Sequence, residues 1–494
     1  MALHDAPARP DAANGRPEPP RSSLCRVRVG WRDNGDSLDV ALAVHRLMRL
    51  GARAWWLVAA HAPADVGDYI VEIAPGQAQA LARFGVRAPP WPRELPEDAR
   101  ALTAPAPCLF AGTASKFPYY AYYALALLRI GLDYVPCDGA ALASGVLDRA
   151  NLLVLPGGFS TWGIDAAESA TGADACVRDF LMHGGTAIGS CGGAYYLSAG
   201  RPAWTGTAQA KPLYTHEYLQ SGVGIVTLQM RDGPLARGLP PGVEMPYYHG
   251  PIYDLLGPGL DVAATFHSLS LPGQLAIDNP LDAERFERDM AGKPAIRVAH
   301  GERGHAVLFS PHPEMGDLVR KYIALDGYVR HYLPIRGFGT MRDTLRHYRV
   351  GDAPSFRLIV NAVDELMTSS RPVNAASGGL EPPSEIDLVA ACHRALAALP
   401  AFDNTEEGDL LRDVEALIRR RLGEIAPRAA DVLGAPGLAS CLHGAQAHLV
   451  ATMREHFDTL DTRTAAQALM EADLAVALLE CSTRMAELDR ALAT

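Results

Sequence analysis

The feature that most constrains this chain is a turn framed by glycines, at positions 189–193, between an apolar segment and a helical one. Residues 186–189 have the pattern of a buried strand, residues 193–199 have that of a helix, and the turn reads Gly-Ser-Cys-Gly-Gly. A sharp strand-to-helix turn pushes its central side chain clear of the backbone and needs glycine on both sides, because a Cβ would collide there. The sequence therefore predicts an elbow with Cys191 at its centre.

Cys191 has the surroundings of a nucleophile in this arrangement. The helix that follows would point its free N–H groups and its positive dipole end at the sulfur, and both favour the reactive thiolate. A buried structural cysteine on a tight turn is the alternative interpretation. The glycine frame at a strand–helix junction favours the nucleophile.

A second motif, Ser-Pro-His-Pro-Glu at positions 310–314, follows an apolar strand that is predicted to form a hairpin with residues 296–299. His312 could take the thiol proton, and Glu314 could hold the imidazole in one tautomer. Surface His/Glu pairs are common, so this motif predicts a functional site only in combination with the elbow. Together the two motifs predict a Cys–His–Glu set in which each member follows a strand. This placement suits a functional site, because sites in open α/β sheets lie outside the carboxyl ends of the strands.

A third motif, Pro-Gly-Gly at positions 156–158, follows the apolar run 152–155. A glycine loop there can aim a backbone N–H at the oxyanion that forms during acyl transfer, alongside the N–H of Gly192. An ordinary tight turn is the alternative interpretation. Strands and helices alternate through this part of the chain, which predicts a largely parallel sheet covered by helices.

In this order and separation, the three motifs resemble those of the class I glutamine amidotransferase-like superfamily. The closer similarity is to the amidotransferase-like domain at the N-terminus of some biotin–protein ligases and to its stand-alone relatives. In that subgroup Ala-Tyr-Tyr follows the elbow, as at positions 194–196, and a Tyr-Tyr-x-Gly segment is similar to positions 247–250. The loop 310–314 is similar as well, and the resemblance covers less than half of the chain.

The resemblance implies an α/β, flavodoxin-like sheet domain of the class I amidotransferase type. It implies Cys191 as nucleophile, His312 as base and Glu314 as the group that orients the base, with Gly158 and Gly192 as oxyanion donors. Further residues are expected around the oxyanion and the substrate, namely Gly157, Gly193, Tyr195, Tyr196, Tyr248 and His249.

One departure from the family pattern bears on the substrate. Glutaminases of this class usually carry Gln where this chain has Tyr195, and an aromatic ring cannot replace the contacts of that amide. No phosphate loop of the Gly-Arg-Gly-Arg type is present, so the chain lacks the catalytic domain of a biotin ligase. A pocket lined by tyrosines would suit another amide, an ester or a peptide, although packing around the elbow is the alternative role for these tyrosines.

The composition limits the classes of function. The chain has 494 residues, a formal net charge of −11, 48% hydrophobic residues and 20% charged residues, which is typical of globular domains. The acidic balance argues against nucleic-acid binding, and no apolar run approaches the roughly 20 residues of a membrane span. The 8 cysteines include no C-x-x-C pair and no apolar secretory segment opens the chain, so we expect free thiols in a cytoplasmic protein. We expect neither a metal site nor a cofactor, since no His/Asp/Glu spacing suits a metal.

Proline-rich stretches and changes of periodicity divide the chain into five segments. We expect a disordered tail (1–24), a small α/β module (25–103), the amidotransferase-like domain (104–335), connecting helices with a linker (336–380) and a C-terminal helical domain (381–494). The apolar stripes of the last segment recur at three- and four-residue spacing, which predicts a helical bundle. One face of that bundle could also bind a partner protein.

Three functions follow as hypotheses. The first is a cysteine-dependent amidohydrolase or amidotransferase that acts on a small-molecule or peptide amide through a thioester. The second is a binding or regulatory scaffold that keeps the fold without turnover, which Tyr195 and the added terminal modules favour. The third is a cysteine peptidase-like hydrolase on the same sheet.

Overall fold

The computed structural model describes residues 24–115, 119–160, 162–213, 223–270, 283–301, 304–316, 354–373, 388–433 and 465–493. The predicted tail and most of the predicted connecting segment lie outside these residues. The structure has the predicted α/β class and a helical C-terminal segment. No helix within the described ranges has the length and apolar character that crossing a membrane requires.

The N-terminal module is a four-stranded antiparallel sheet with two helices. Its elements are β1 (Cys25–Val29), α1 (Asp39–Arg49), β2 (Ala54–Trp56), β3 (Tyr69–Ile73), α2 (Pro75–Phe84) and β4 (Arg100–Leu102), with the strand order β1-β3-β2-β4. Because β3 pairs antiparallel with both β1 and β2, β1 and β2 run in the same direction. The module thus has a strand, a helix and a second strand in succession, and the later strand β3 lies between β1 and β2 in the sheet.

A nine-stranded sheet forms the centre of the molecule. Its strands are β5 (Pro107–Phe110), β6 (Val135–Cys137), β7 (Leu152–Leu155), β8 (Thr186–Ser190), β10 (Val223–Met230), β11 (Gly242–Tyr248), β13 (Leu260–Ser270), β14 (Pro294–Gly301) and β15 (Gly304–Phe309), while β9 (Ala210–Pro212) and β12 (Tyr253–Leu256) form a separate ribbon. The helices of this region are α3 (Tyr119–Arg129), α4 (Gly139–Ala143), α5 (Ile164–Glu168), α6 (Ala173–Met182), α7 (Gly192–Leu197) and α8 (Ala283–Asp289).

Half of this sheet has the flavodoxin-like strand order. The strands β6-β5-β7-β8-β15 are parallel neighbours, and in chain order this is the arrangement 2-1-3-4-5 of a doubly wound sheet. The hairpin of β14 and β15 is confirmed. Beyond it, β13, β10 and β11 extend the sheet in antiparallel fashion, an extension that the sequence did not predict.

Side chains alternate between two hydrophobic cores on the two faces of the sheet. Along β15, Val307 and Phe309 join the larger core, whereas Ala306 and Leu308 join the core that also contains residues of α6 and α7. This alternation follows from the two-residue period of a strand. The carboxyl ends of β7, β8 and β15 meet at one edge, where the three sequence motifs lie.

The C-terminal helices share the larger core with the rest of the chain. They are α9 (Pro354–Met367), α10 (Leu388–Ala397), α11 (Glu406–Leu433) and α12 (Ala465–Ala493). The last helix contacts α10 and α11 and also α1, α2 and α3, and one continuous hydrophobic cluster includes Val27, Leu127 and Leu478. The apolar stripes of these helices are thus buried within the chain, and the predicted domain boundaries remain a prediction.

Candidate active site

Cys191 occupies the junction of β8 and α7 in a conformation that L-residues rarely adopt. Its φ is 49° and its ψ is −107°, outside the ordinary allowed regions for a non-glycine residue. The backbone N–H of Cys191 donates to the carbonyl of Phe309 at 2.8 Å, and its carbonyl accepts from Tyr195 at 3.0 Å. The elbow is therefore held by β15 on one side and by the first turn of α7 on the other.

The glycines of the elbow have no room for a side chain. A Cβ at Gly192 would overlap the backbone nitrogen of Phe159, and a Cβ at Gly193 would overlap the carbonyl oxygen of Leu155. The loop that carries Gly157 and Gly158 is thus packed directly against the elbow. Since Gly192 is the first residue of α7, its N–H has no partner within the helix.

His312 and Glu314 form a hydrogen-bonded pair beside this elbow. Because β15 runs parallel to β8, the loop after β15 emerges at the same edge of the sheet. The Nδ1–H of His312 donates to Glu314 Oε1 at 2.7 Å, and both side chains are fully buried. The ring of Tyr119 stacks on the imidazole with centroids 5.2 Å apart, and a Cβ at Gly157 would overlap the imidazole carbon Cε1.

Tyr248 contacts both the thiol and the imidazole. The Sγ of Cys191, which is 8% exposed, donates to the carbonyl of Tyr248 at 3.0 Å. The ring of Tyr248 meets the imidazole of His312 edge-on at 5.8 Å. The structure therefore brings the predicted cysteine and histidine together around a third predicted residue.

The electrostatics of the pair favour a protonated imidazole. Burial alone lowers the pKa of His312, but the neighbouring Glu314 and Cys191 raise it more, so that the pKa lies well above its usual range. Among the described residues, the Nε2 atom of His312 has no partner with hydrogen-bond geometry. Nδ1 is therefore engaged by Glu314, whereas Nε2 has no hydrogen bond within the described part of the chain.

The other predicted residues separate into two groups. Tyr195 packs against Trp204 with centroids 5.9 Å apart, and the hydroxyl of Tyr196 donates to Asp174 at 2.6 Å, so both lie in the core beside α7. His249 has a φ of 50°, and burial together with His312 lowers its pKa to about 4. Tyr248 and His249 are therefore the aromatic residues of the set that neighbour the His312 imidazole.

Sequence reasoning missed three features of this region. Tyr119 stacks on His312, the hydroxyls of Tyr123 and Ser190 are hydrogen-bonded to each other beneath the elbow, and Arg297 is buried within β14. The tyrosines belong to a helix rich in aromatic residues that carries no motif. Arg297 had a signal, since it interrupts an otherwise apolar strand.

A metal site is absent from the described part of the chain. Within it, no group of three or more His, Cys, Asp or Glu side chains is arranged to hold an ion. The described cysteines are free thiols.

No protein-family model matches the chain, and no curated protein matches it. Among solved structures, a glutamine amidotransferase is 20% identical over 42% of this chain and 90% of its own, with a TM-score of 0.28. A glutamine amidotransferase from Thermotoga maritima is 14% identical over 53% of this chain and 95% of its own, with a TM-score of 0.31. A catalytic mutant of a GH42 β-galactosidase from G. stearothermophilus is 13% identical over 42% of this chain and 28% of its own, with a TM-score of 0.24. Each of these scores lies below 0.5 and the activities differ, so these matches assign no activity to this chain.

Proposed function

We propose that this protein is a cysteine-dependent amidohydrolase or amidotransferase in which Cys191, His312 and Glu314 act as the catalytic triad. The observation that carries the proposal is the strained elbow of Cys191 beside an imidazole that is oriented by a carboxylate. Strain of this kind persists where the surrounding structure imposes it and is concentrated at active sites. An ordinary buried cysteine needs neither the positive φ nor the oriented histidine.

The first step forms a thioester. The proton of the Cys191 thiol first passes to Nε2 of His312, which gives a thiolate beside an imidazolium. The thiolate then attacks the carbonyl carbon of the amide while the electrons of the carbonyl bond move to the oxygen. The N–H groups of Gly158 and Gly192 would donate to this oxyanion. When the carbonyl reforms, the C–N bond breaks and the leaving amine takes the proton from the imidazolium.

The second step regenerates the thiol. Water or an acceptor amine attacks the thioester and transfers its proton to Nε2, and the sulfur leaves as the thiolate, which recovers that proton. Glu314 accepts the hydrogen bond of Nδ1–H, so that Nε2 is the nitrogen that accepts a proton. The raised pKa of His312 supports the transfer of the thiol proton to the imidazole before the attack.

Covalent labelling tests the identity of the nucleophile. We expect a thiol-alkylating electrophile such as chloroacetamide to modify Cys191 fastest, as mapped by peptide mass spectrometry. Cys176 is partly exposed whereas Cys191 is buried, so accessibility alone predicts the reverse order. Cys191→Ser should abolish the fast adduct, and the matched variant Cys176→Ser should keep it.

Turnover is tested with a panel of amides, esters and short peptides that includes glutamine. We expect product release that is lost in Cys191→Ser and that falls at least about a hundredfold in His312→Gln, since a general base contributes about 10²–10⁴-fold. Labelling that persists on other cysteines in Cys191→Ser, with no turnover of any panel member, would contradict the proposal.

A binding scaffold without turnover is the second candidate. It is favoured by the hydrogen bond that the Cys191 thiol already makes to the carbonyl of Tyr248, and by Tyr195 where glutaminases carry Gln. A ligand that binds equally to wild type and to Cys191→Ser, without product, would support this candidate. Turnover that depends on Cys191 would remove it.

A further inference from the structure

Arg297 is a buried cation without a counterion among the described residues. It lies in the middle of β14, is 1% exposed, and its Nε, Nη1 and Nη2 atoms have no hydrogen-bond partner there. Its guanidinium carbon lies 3.8 Å from the centre of the Tyr253 ring, so one face of the cation rests on an aromatic ring. Burial lowers the pKa of Arg297 and Tyr253 raises it, so that the pKa is about 10. The side chain is therefore charged at neutral pH.

The chain pairs two other deeply buried arginines with carboxylates. Arg46 forms ion pairs with Asp133 and Asp489, and Arg421 forms ion pairs with Asp473 and Glu480. Taking a cation out of water costs several kcal/mol unless an anion and hydrogen bonds replace the solvent. Unlike Arg46 and Arg421, Arg297 has neither a carboxylate partner nor any side-chain hydrogen bond within the described part of the chain.

The register of the sheet places Arg297 near the elbow. Arg297 is paired with Leu308 on β15, and Leu308 with Gly189 on β8, so the three lie in one row across the face of the sheet. A Cβ on Gly189 would lie 2.7 Å from Gly193, so α7 covers this same face. Two strand spacings of about 4.8 Å put Arg297 roughly 10 Å from Gly189 in the sheet.

Ser310 supplies a second unpartnered donor on this face. It follows Leu308 by two residues, which is the period of a strand, and its N–H still donates to Ala295 of β14 at 2.9 Å. Its hydroxyl is buried and has no hydrogen-bond partner among the described residues. Diagonal neighbours across two antiparallel strands have Cα atoms about 7–8 Å apart, so Ser310 is a near neighbour of Arg297 and precedes His312 by two residues.

Tyr253 links the arginine to the helix that carries the elbow. Its hydroxyl is hydrogen-bonded to Ser198 at 2.6 Å and donates to the carbonyl of Ala194 at 3.3 Å. Burial raises the pKa of Tyr253, and Cys191 is among the smaller influences that add to it. The cation, the phenol and the nucleophile therefore belong to one neighbourhood.

We propose that Arg297 and Ser310 bind a carboxylate of the substrate whose carbonyl Cys191 attacks. A planar guanidinium offers a carboxylate two parallel hydrogen bonds, and buried orphan donors are the usual sign of a missing ligand. The substrate class is then an amide that also carries a carboxylate. This inference rests on the proposed function in one respect only, namely that Cys191 is the group that attacks the substrate.

Binding to the full-length Cys191→Ser protein tests the subsite without turnover. The probes are N-acetylated glycine oligomers of one to three residues, each with a free C-terminal carboxylate or with a C-terminal amide, titrated by calorimetry. We expect a carboxylate form to bind at least tenfold more tightly than its amide. Adding Arg297→Met should remove this preference, Arg297→Lys should reduce it because Lys lacks the paired donors, and Ser310→Ala should weaken it.

The control is Arg490→Met, which removes an exposed arginine of α12 and should leave the preference intact. Equal binding of carboxylate and amide forms, or a preference that survives both Arg297→Met and Arg297→Lys, would overturn the subsite. If the preference is present while Cys191 is neither labelled nor required for turnover, the subsite stands and the proposed catalytic function fails. If Cys191 is labelled and required while the preference is missing, the catalytic function stands and the subsite fails.

Discussion

Two buried arginines in this molecule have opposite surroundings. Arg46, in α1, lies between Asp133 at 3.0 Å and Asp489, to which its Nε–H donates at 2.8 Å. Arg297, in β14, has the ring of Tyr253 as its neighbour and no hydrogen bond from its side chain to any described residue. We call the first cluster, Arg46 with Asp133 and Asp489, the helix junction, because it joins α1 to the segment after α3 and to α12.

One chain thus uses the same residue type for two purposes. In the helix junction the charge is matched within the chain, so removal of one partner leaves buried anions uncompensated. Beside the elbow, Arg297 has no matching charge among the described residues, and a bound anion would offset the cost of burying it. We therefore expect the helix junction to contribute more to stability than Arg297 does.

Stability should separate the two arginines most strongly. Arg46→Met should lower the free energy of unfolding by about 3–5 kcal/mol, because it leaves Asp133 and Asp489 buried and unpaired. Arg297→Met should leave it unchanged or raise it, because the variant removes an uncompensated charge and keeps an apolar side chain of similar length. Urea unfolding followed by circular dichroism measures both.

Similar losses of stability for the two variants would contradict the contrast. In that case Arg297 would have a structural partner of its own, and the argument for an external anion would fail. The variant Arg46→Lys, which keeps the charge but not the fork of donors, should fall between wild type and Arg46→Met.

The second prediction concerns the packing of the imidazole. Gly157→Ala should slow the labelling of Cys191 about a hundredfold, because the new Cβ would overlap the Cε1 atom of His312 and a displacement of about 1 Å can cost that much. Gly76→Ala is the matched control, since a Cβ there meets no described atom within 4 Å. An unchanged labelling rate in Gly157→Ala would mean that His312 does not activate the thiol.

The elbow and the parallel half of the sheet could be predicted because their signals are local. Glycines at 189, 192 and 193 are required by atoms within a few residues or on the adjacent strand, and a bare apolar run such as β7 indicates a strand buried on both faces. The antiparallel strands β10 to β13 carry no such local mark. Their place is decided by register with distant strands, which a single sequence does not encode in its periodicity.

The environment of the site depends on contacts that are remote in the chain. Tyr119 precedes His312 by almost two hundred positions, and its stacking follows from where α3 packs. Arg297 was visible as a polar residue in an apolar strand, but its lack of a carboxylate among the described residues becomes evident only when the neighbouring elements are in place. The catalytic roles of Cys191, His312 and Glu314 stay a prediction until they are measured.

The third prediction uses the pH dependence of stability to single out His312. The pKa of His312 is raised above its ordinary value of 6.5 in the folded chain, so its charged form contributes stability that is fully present below pH 6.5. This stability is lost as the pH rises toward the folded pKa, with a slope of at most about 1.4 kcal/mol per pH unit for one proton. Burial opposes the charge of Arg46, but Asp133 and Asp489 raise its pKa further, so the helix junction keeps its charge.

Urea unfolding between pH 6 and pH 9 checks this difference. The free energy of unfolding of wild type should fall over that range, and His312→Gln should flatten the dependence. Arg46→Met should keep the slope while it lowers the whole curve. A slope that is the same in wild type and His312→Gln would assign the pH dependence to another group.

A third arginine, which is exposed, should matter least. Arg490 of α12 pairs with Asp431 of α11 at 2.6 Å, with the two side chains 45% and 71% exposed. Arg490→Met should change the free energy of unfolding by no more than about 0.5 kcal/mol, because solvent screens the pair and ordering two long side chains costs entropy. The same urea titration of Arg490→Met and Arg46→Met shows whether burial, and not the mere presence of an ion pair, decides how much an arginine contributes to stability.

A loss comparable to that of Arg46→Met would mean that α11 and α12 depend on surface charge. The contrast between buried paired and buried unpaired arginines would then no longer explain where the stability lies.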